Sequence, residues 1–173
     1  VVVGNPPFIG NKRMRLALGD GYVDALRSVW GDVPESADFV MFWWHHAAQL
    51  VAQGEISRFG FITTNSLTQA FNRRVVQAAL DKGVHLAFAI PDHPWVENSD
   101  GAAVRIAMTV AAVGTDEGRL CTVSAERAAD GQKGGEGLDV ELSERSGSIH
   151  ADLSVGANVS AALPLQANSG LSN

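Results

Sequence analysis

The chain has 173 residues, 46% of them hydrophobic, and a net charge of −6 at pH 7. This composition is globular and long enough for one domain with a sizeable core. No run of about 18 apolar residues is present, so no membrane span is expected, and the acidic balance argues against a self-sufficient nucleic-acid binder. Acidic and basic residues number 10 and 9 over residues 1–115 but 9 and 4 over 116–173, so the first part is nearly neutral. A single Cys121 can form no internal disulfide, which fits a reducing compartment; its ordinary reading is a small buried hydrophobe.

Residues 1–8 read VVVGNPPF. A short apolar run ending on Gly4 and a Pro-Pro pair reads as a buried strand that delivers a stiff loop at its carboxyl end, where open α/β sheets bind ligands. Pro7 holds Pro6 extended, and Pro6 does the same to Asn5. The Asn5 side-chain oxygen and the Pro6 carbonyl can therefore aim two acceptors at one target, with the flat Phe8 ring beside them. An amino group on a planar aromatic ring suits such a site, because it has two N–H donors and a π face. Accepting both hydrogens draws the nitrogen lone pair out of conjugation and makes it a better nucleophile. The alternative reading is a plain turn after a strand.

Lys12, Arg13 and Arg15 cluster just after this loop, placed either to meet phosphates or to form a solvated charged loop. Residues 19–34 read as loop and short helix. Residues 36–54, SADFVMFWWHHAAQLVAQG, predict a strong helix with Ser36 as N-cap, Asp38 in the first turn and Gly54 at the end. Phe39, Phe42, Trp43, His46, Leu50 and Val51 form its expected core-facing stripe. His45 and His46 are adjacent and diverge on a helix, so no metal site is expected there. RFGFIT (58–63) predicts a strand, Asn65 or Ser66 can cap a helix from about Leu67 to Lys82, and VHLAFAI (84–90) is the next strand. PDHPWVENSD (91–100) reads as a polar loop, and AAVRIAMTVAAV (102–113) as a strand. The connection is too short for a parallel return, so this last pair should be antiparallel. Beyond Gly114, RLCTVS predicts a short strand, AADGQKGGEG a flexible linker, and LDVELSE, SIHADLSV and ALPLQANSGLSN short, poorly packed segments. No repeat or zinc-spaced Cys/His cluster is visible.

The motif GNPPF after an apolar strand resembles the catalytic (D/N/S)-P-P-(Y/F) signature of S-adenosylmethionine-dependent amino-methyltransferases, with Asn5, Pro6, Pro7 and Phe8 all matching. GNPPFIGNK, FGFITTNSL and DGAAVRIAMTV further resemble the large adenine-specific DNA methyltransferases of type IIL and IIG restriction-modification systems. The alternation of strands and helices over residues 1–90 means βαβ units and an α/β fold, and the resemblance implies the same. The chain would be the C-terminal half of a Rossmann-like class I methyltransferase sheet ending in an antiparallel hairpin, followed by the start of a target-recognition region. It implies a partial catalytic domain over 1–115 and a linker plus recognition-domain entry over 116–173.

It also implies that Asn5 and Pro6 bind the exocyclic amine of a flipped adenine in double-stranded DNA and that Phe8 stacks on that base. Asn5 and Asp38 would lie near the cofactor, S-adenosylmethionine. The hairpin loop would supply the second stacking ring, for which Trp95 is the candidate, with His93 and ordinary packing of Trp95 as alternatives. The family's Gly-rich cofactor turn would lie upstream of Val1. The chain is accordingly expected to be a fragment, inactive alone, of a cytoplasmic bacterial or archaeal enzyme. The other readings are a protein-glutamine methyltransferase of release-factor type, whose amide needs the same two acceptors, and a non-catalytic remnant.

Overall fold

The computed structural model describes residues 1–95, 104–114, 116–128 and 138–157. In chain order it contains β1 (Val2–Gly4), α1 (Asn11–Leu18), α2 (Asp20–Val29), α3 (Val40–Ala52), β2 (Arg58–Thr64), a 3₁₀ turn (Asn65–Thr68) and α4 (Ala70–Leu80). These are followed by β3 (Val84–Trp95), β4 (Val104–Val113), β5 (Gly118–Ala128) and β6 (Leu138–Gly147). One six-stranded sheet runs in the order β1-β2-β4-β3-β5-β6. β1 and β2 are parallel, and β4 lies antiparallel between β2 and β3, as a short connection demands. β5 adds parallel to β3, and β6 turns back antiparallel on β5.

Strict alternation along β2 buries Phe59, Phe61 and Thr63 on one face, directly opposite Ala111, Thr109 and Ala107 of β4. Helix α3 covers that face. Its Trp44 is fully buried edge-on to Phe59, with ring centroids 5.2 Å apart, and donates its indole N–H to Thr109 Oγ1 at 3.1 Å. The buried Trp thereby satisfies its one donor. On the opposite face Ile62, Met108 and Val110 are only half-buried.

The α/β class and the antiparallel hairpin agree with the sequence reading; several local expectations do not. Residues 19–34 hold the short helix read there, α2, which takes up most of the segment, and the basic cluster Lys12, Arg13 and Arg15 lies on helix α1 rather than on a loop. Helix α3 starts at Val40 with no side-chain cap from Ser36. Trp43 and His46 of its expected stripe are exposed, whereas Trp44, His45, Ala47 and Ala48 are buried. Trp30 of the segment after α2 packs against both His45 and His46, so α3 meets protein on more than one side, and a single stripe could not describe it. Helix α4 begins at Ala70, because Asn65 and Ser66 belong to the 3₁₀ turn.

β3 continues five residues past Ile90 into the expected loop. Pro91 falls within a register shift between Ile90 and His93, where a missing N–H costs the ladder nothing. β1, whose apolar run reads as a buried strand but which in a fragment is expected to be an exposed sheet edge, has only β2 as a neighbour among the described residues, and Val1 and Val3 are 76% and 82% exposed.

β5 is longer than the short strand expected there. The segment after β6 is well packed: Ile149, Ala151 and Leu153 join the core, and Ile149 bridges Val155. β5 and β6 belong to the same sheet as β1 to β4. The expected linker falls, over 129–137, outside the described residues, as do the rest of the hairpin loop, 96–103, and the segment 162–173. Cys121 is buried, as expected. No helix among the described residues is long and apolar enough to cross a membrane.

Candidate active site

β1 ends at Gly4, and the chain leaves the carboxyl edge of the sheet through Asn5-Pro6-Pro7-Phe8. Pro6 is buried, while Asn5, Pro7 and Phe8 face outward, with Phe8 37% exposed. Neither the Asn5 side chain nor the Pro6 carbonyl has a hydrogen-bond partner among the described residues. Two acceptors of consecutive residues on a proline-stiffened loop, the Asn5 side chain exposed to solvent, are thus not used by the protein among the described residues. Beyond them, Phe8, Ile9, Gly10, Arg13, Leu16 and Ala17 line an open cavity of about 350 Å³.

The loop is tied down immediately after Phe8. Ile9 N–H donates to Pro7 O at 3.2 Å, and Ile9 O accepts from Phe39 N–H at 2.9 Å. Asp38 stands next to that contact. Its Oδ1 accepts Asn11 N–H at 2.9 Å, and its Oδ2 accepts Ser66 Oγ–H at 2.7 Å and Asn72 Nδ2–H at 2.8 Å. Asp38 N–H in turn donates to Asn72 Oδ1 at 2.9 Å. Ser66 and Asn72 were missed by sequence reasoning. The sequence holds no signal for them beyond an amide, Asn72, inside the predicted helix; its burial, at 4% exposed, comes from the fold.

Of the basic cluster, Lys12 and Arg13 are exposed on α1, whereas Arg15 is engaged within the chain. Its guanidinium meets Asp20 at 2.9 Å and Asp24 at 2.8 Å. These hydrogen bonds, first to Asp20 and then to Asp24, hold Arg15 above its ordinary pKa.

Trp95 and His93 lie at the far end of β3, on the same edge as Asn5, paired with Val104 and Ile106. β2 and β4 intervene, so the β1 and β3 backbones are separated by three strand spacings, roughly 14 Å. His93 Nδ1 is 2.7 Å from Pro94 O. The hairpin is braced by Arg105, whose guanidinium donates to Asp92 at 2.7 Å and Glu126 at 2.9 Å, while Asn65 also donates to Asp92. Those bonds, to Asp92 first, raise the Arg105 pKa above its ordinary value. No group of three or more His, Cys, Asp or Glu suited to a metal occurs among the described residues.

A mixed α/β sheet with an antiparallel strand inserted between its parallel neighbours, and Asn-Pro-Pro-Phe at the carboxyl end of its first strand, defines the class: a methyltransferase-type domain. The family described as MmeI, DNA-methyltransferase domain, matches residues 1–123, more than half of the chain, and the chain belongs to that family. Among solved structures, it is similar to the type IIL restriction-modification enzyme MmeI in complex with DNA. The TM-score is 0.68 at 23% identity, covering 91% of this chain and 20% of that one. This chain thus spans about a fifth of the length of that relative. A structure described as the modification subunit of a type I restriction enzyme from Vibrio vulnificus YJ016 gives a TM-score of 0.44 at 14% identity, covering 76% of this chain and 26% of that one. No curated protein matches the chain.

Proposed function

We propose that this chain carries the catalytic loop of a site-specific DNA adenine-N6 methyltransferase of a restriction-modification system, with S-adenosylmethionine as cofactor. The observation that carries the reading is the unused acceptor pair at the end of β1. Asn5 Oδ1 and Pro6 O each accept one hydrogen of the exocyclic amine, orienting its nitrogen and localising its lone pair. Phe8 stacks on one face of the flipped base, and Trp95, on the hairpin at the same edge, is the candidate for the other. Lys12 and Arg13 are placed to meet phosphates.

The residues present fit the reacting end of a cofactor site. The exposed Asn5 stands at the carboxyl edge of the sheet, whereas both oxygens of Asp38 already serve protein donors. When bound, S-adenosylmethionine supplies the methyl group on a sulfonium. Membership in a DNA-methyltransferase family favours DNA over a glutamine amide as the substrate.

The test is methylation of double-stranded DNA by the full-length protein, read as N6-methyladenine by mass spectrometry. Asn5→Ala should lower kcat by about 10²- to 10³-fold, the usual loss when one preorganised polar contact to a reacting group is removed. Wild-type turnover by that variant would refute the assigned role. Methylation of a release-factor glutamine with none on DNA would establish the glutamine reading instead.

A further inference from the structure

We infer that Asp38 is a positioning residue whose carboxylate buckles the Asn5–Phe8 loop to the 3₁₀ turn and α4. The inference rests on the function proposed above. The loop is fixed at two points just past Phe8, and both lead to the same dipeptide: Ile9 O accepts from Phe39 N–H, and Asn11 N–H donates to Asp38 Oδ1. The second bond also supplies the missing cap of α1. Gly10 at its N-cap has no side chain to offer, and a carboxylate at a helix N-terminus is favoured by the exposed N–H groups and the dipole.

On its other side, Asp38 is held by a reciprocal pair with the buried Asn72 and by Ser66. Asn72 is fixed in turn by a bond from its Nδ2 to Ser66 O at 3.0 Å, and Ser66 Oγ lies 2.5 Å from Thr64 Oγ1 at the end of β2. The chain of bonds therefore runs from the carboxyl end of β2, through Asp38, to the loop that bears the two amine acceptors. Three donors converge on this one side chain. Only an ionised carboxylate accepts on both oxygens; an amide at position 38 would turn an N–H₂ toward at least one of those donors.

The experiment uses the full-length protein with Asp38→Asn, Asn72→Ala and the double variant, and with Ser66→Ala as a milder change should the others fail to fold. Methyl transfer should fall in kcat by about 10- to 100-fold, the scale of a small misplacement of reacting groups, with the Kd for S-adenosylmethionine within about 3-fold of wild type. The double variant should be no worse than about 3-fold below the poorer single variant, because both cut one network. Amide hydrogen exchange over residues 8–13 should accelerate by about tenfold or more while residues 59–63 stay protected, and Ser66→Ala should move both readouts less, in the same direction.

Unchanged exchange over residues 8–13 overturns the inference, as does faster exchange with wild-type kcat. A large loss of cofactor affinity with unchanged exchange would place Asp38 on the cofactor instead. Wild-type protein that leaves DNA unmethylated would refute the proposed function alone, since the exchange readout needs no turnover.

Discussion

Asn5 and Asn72 show at the smallest scale how differently two side chains of one type can be used. Asn72 is buried and fully engaged, whereas the Asn5 side chain and the Pro6 carbonyl have no partner among the described residues. His45 is a third case. It is 6% exposed, its Nε2 is buried without a hydrogen-bond partner among the described residues, and burial, with smaller opposition from Asp32, lowers its pKa from the usual 6.5. The unfolded chain then takes up a proton as the pH falls below about 6.5, while the folded protein resists it. Stability is therefore lost on acidification through this window and regained as the pH rises. Chemical denaturation of the full-length protein between pH 7.5 and 5.5 should show this loss, and His45→Leu should reduce the slope. Equal slopes for the two proteins would show that His45 is not the group responsible.

Among the elements, α1 has two distinct faces of work. Its start is held by Asp38, and its basic residues divide: Arg15 is paired to Asp20 and Asp24, both on α2, leaving Lys12 and Arg13 outward. If the full-length protein binds DNA through α1, Lys12→Ala and Arg13→Ala should each reduce the slope of log affinity against log salt by about 1. Arg15→Ala should leave that slope unchanged. A uniform effect of all three would contradict the division. Sequence reading found the cluster and its closeness to the Asn5–Phe8 loop but not the division, because the partners of Arg15 lie on the next helix, whose orientation against α1 no local pattern gives.

For the whole molecule, the joint that carries β5 and β6 into the sheet is the one between β3 and β5. β3 and β5 share a short parallel register, Phe88 with Arg119 and Ala89 with Leu120, and the backbones approach closely at Gly118. A Cβ there would collide with the Leu86 carbonyl oxygen and sit 2.7 Å from Ile149 Cδ1. Gly118→Val should therefore destabilise the protein by about 3 kcal/mol, at the upper end of overpacking costs, because backbone cannot yield as a side chain does. The loss should come with faster hydrogen exchange in β5 and β6 than in β1 and β2. Unaltered stability and exchange would show that the joint is not where this sheet is vulnerable.

The chain itself determined the strand and stiff loop at residues 1–8, the alternation of β2, the α/β class and the antiparallel return of β4, all of which follow from local periodicity, proline stereochemistry and connection length. Tertiary structure alone decided which sides of α3 are buried, the passage of β3 beyond Pro91, and the role of Asp38. The Asp38 bonds join residues 27 to 34 positions apart. A carboxylate in a helix-start sequence looks like a cap for its own helix. Only the fold brings Asn11, Ser66 and Asn72 to it, because those donors come from three elements that meet at one edge of the sheet.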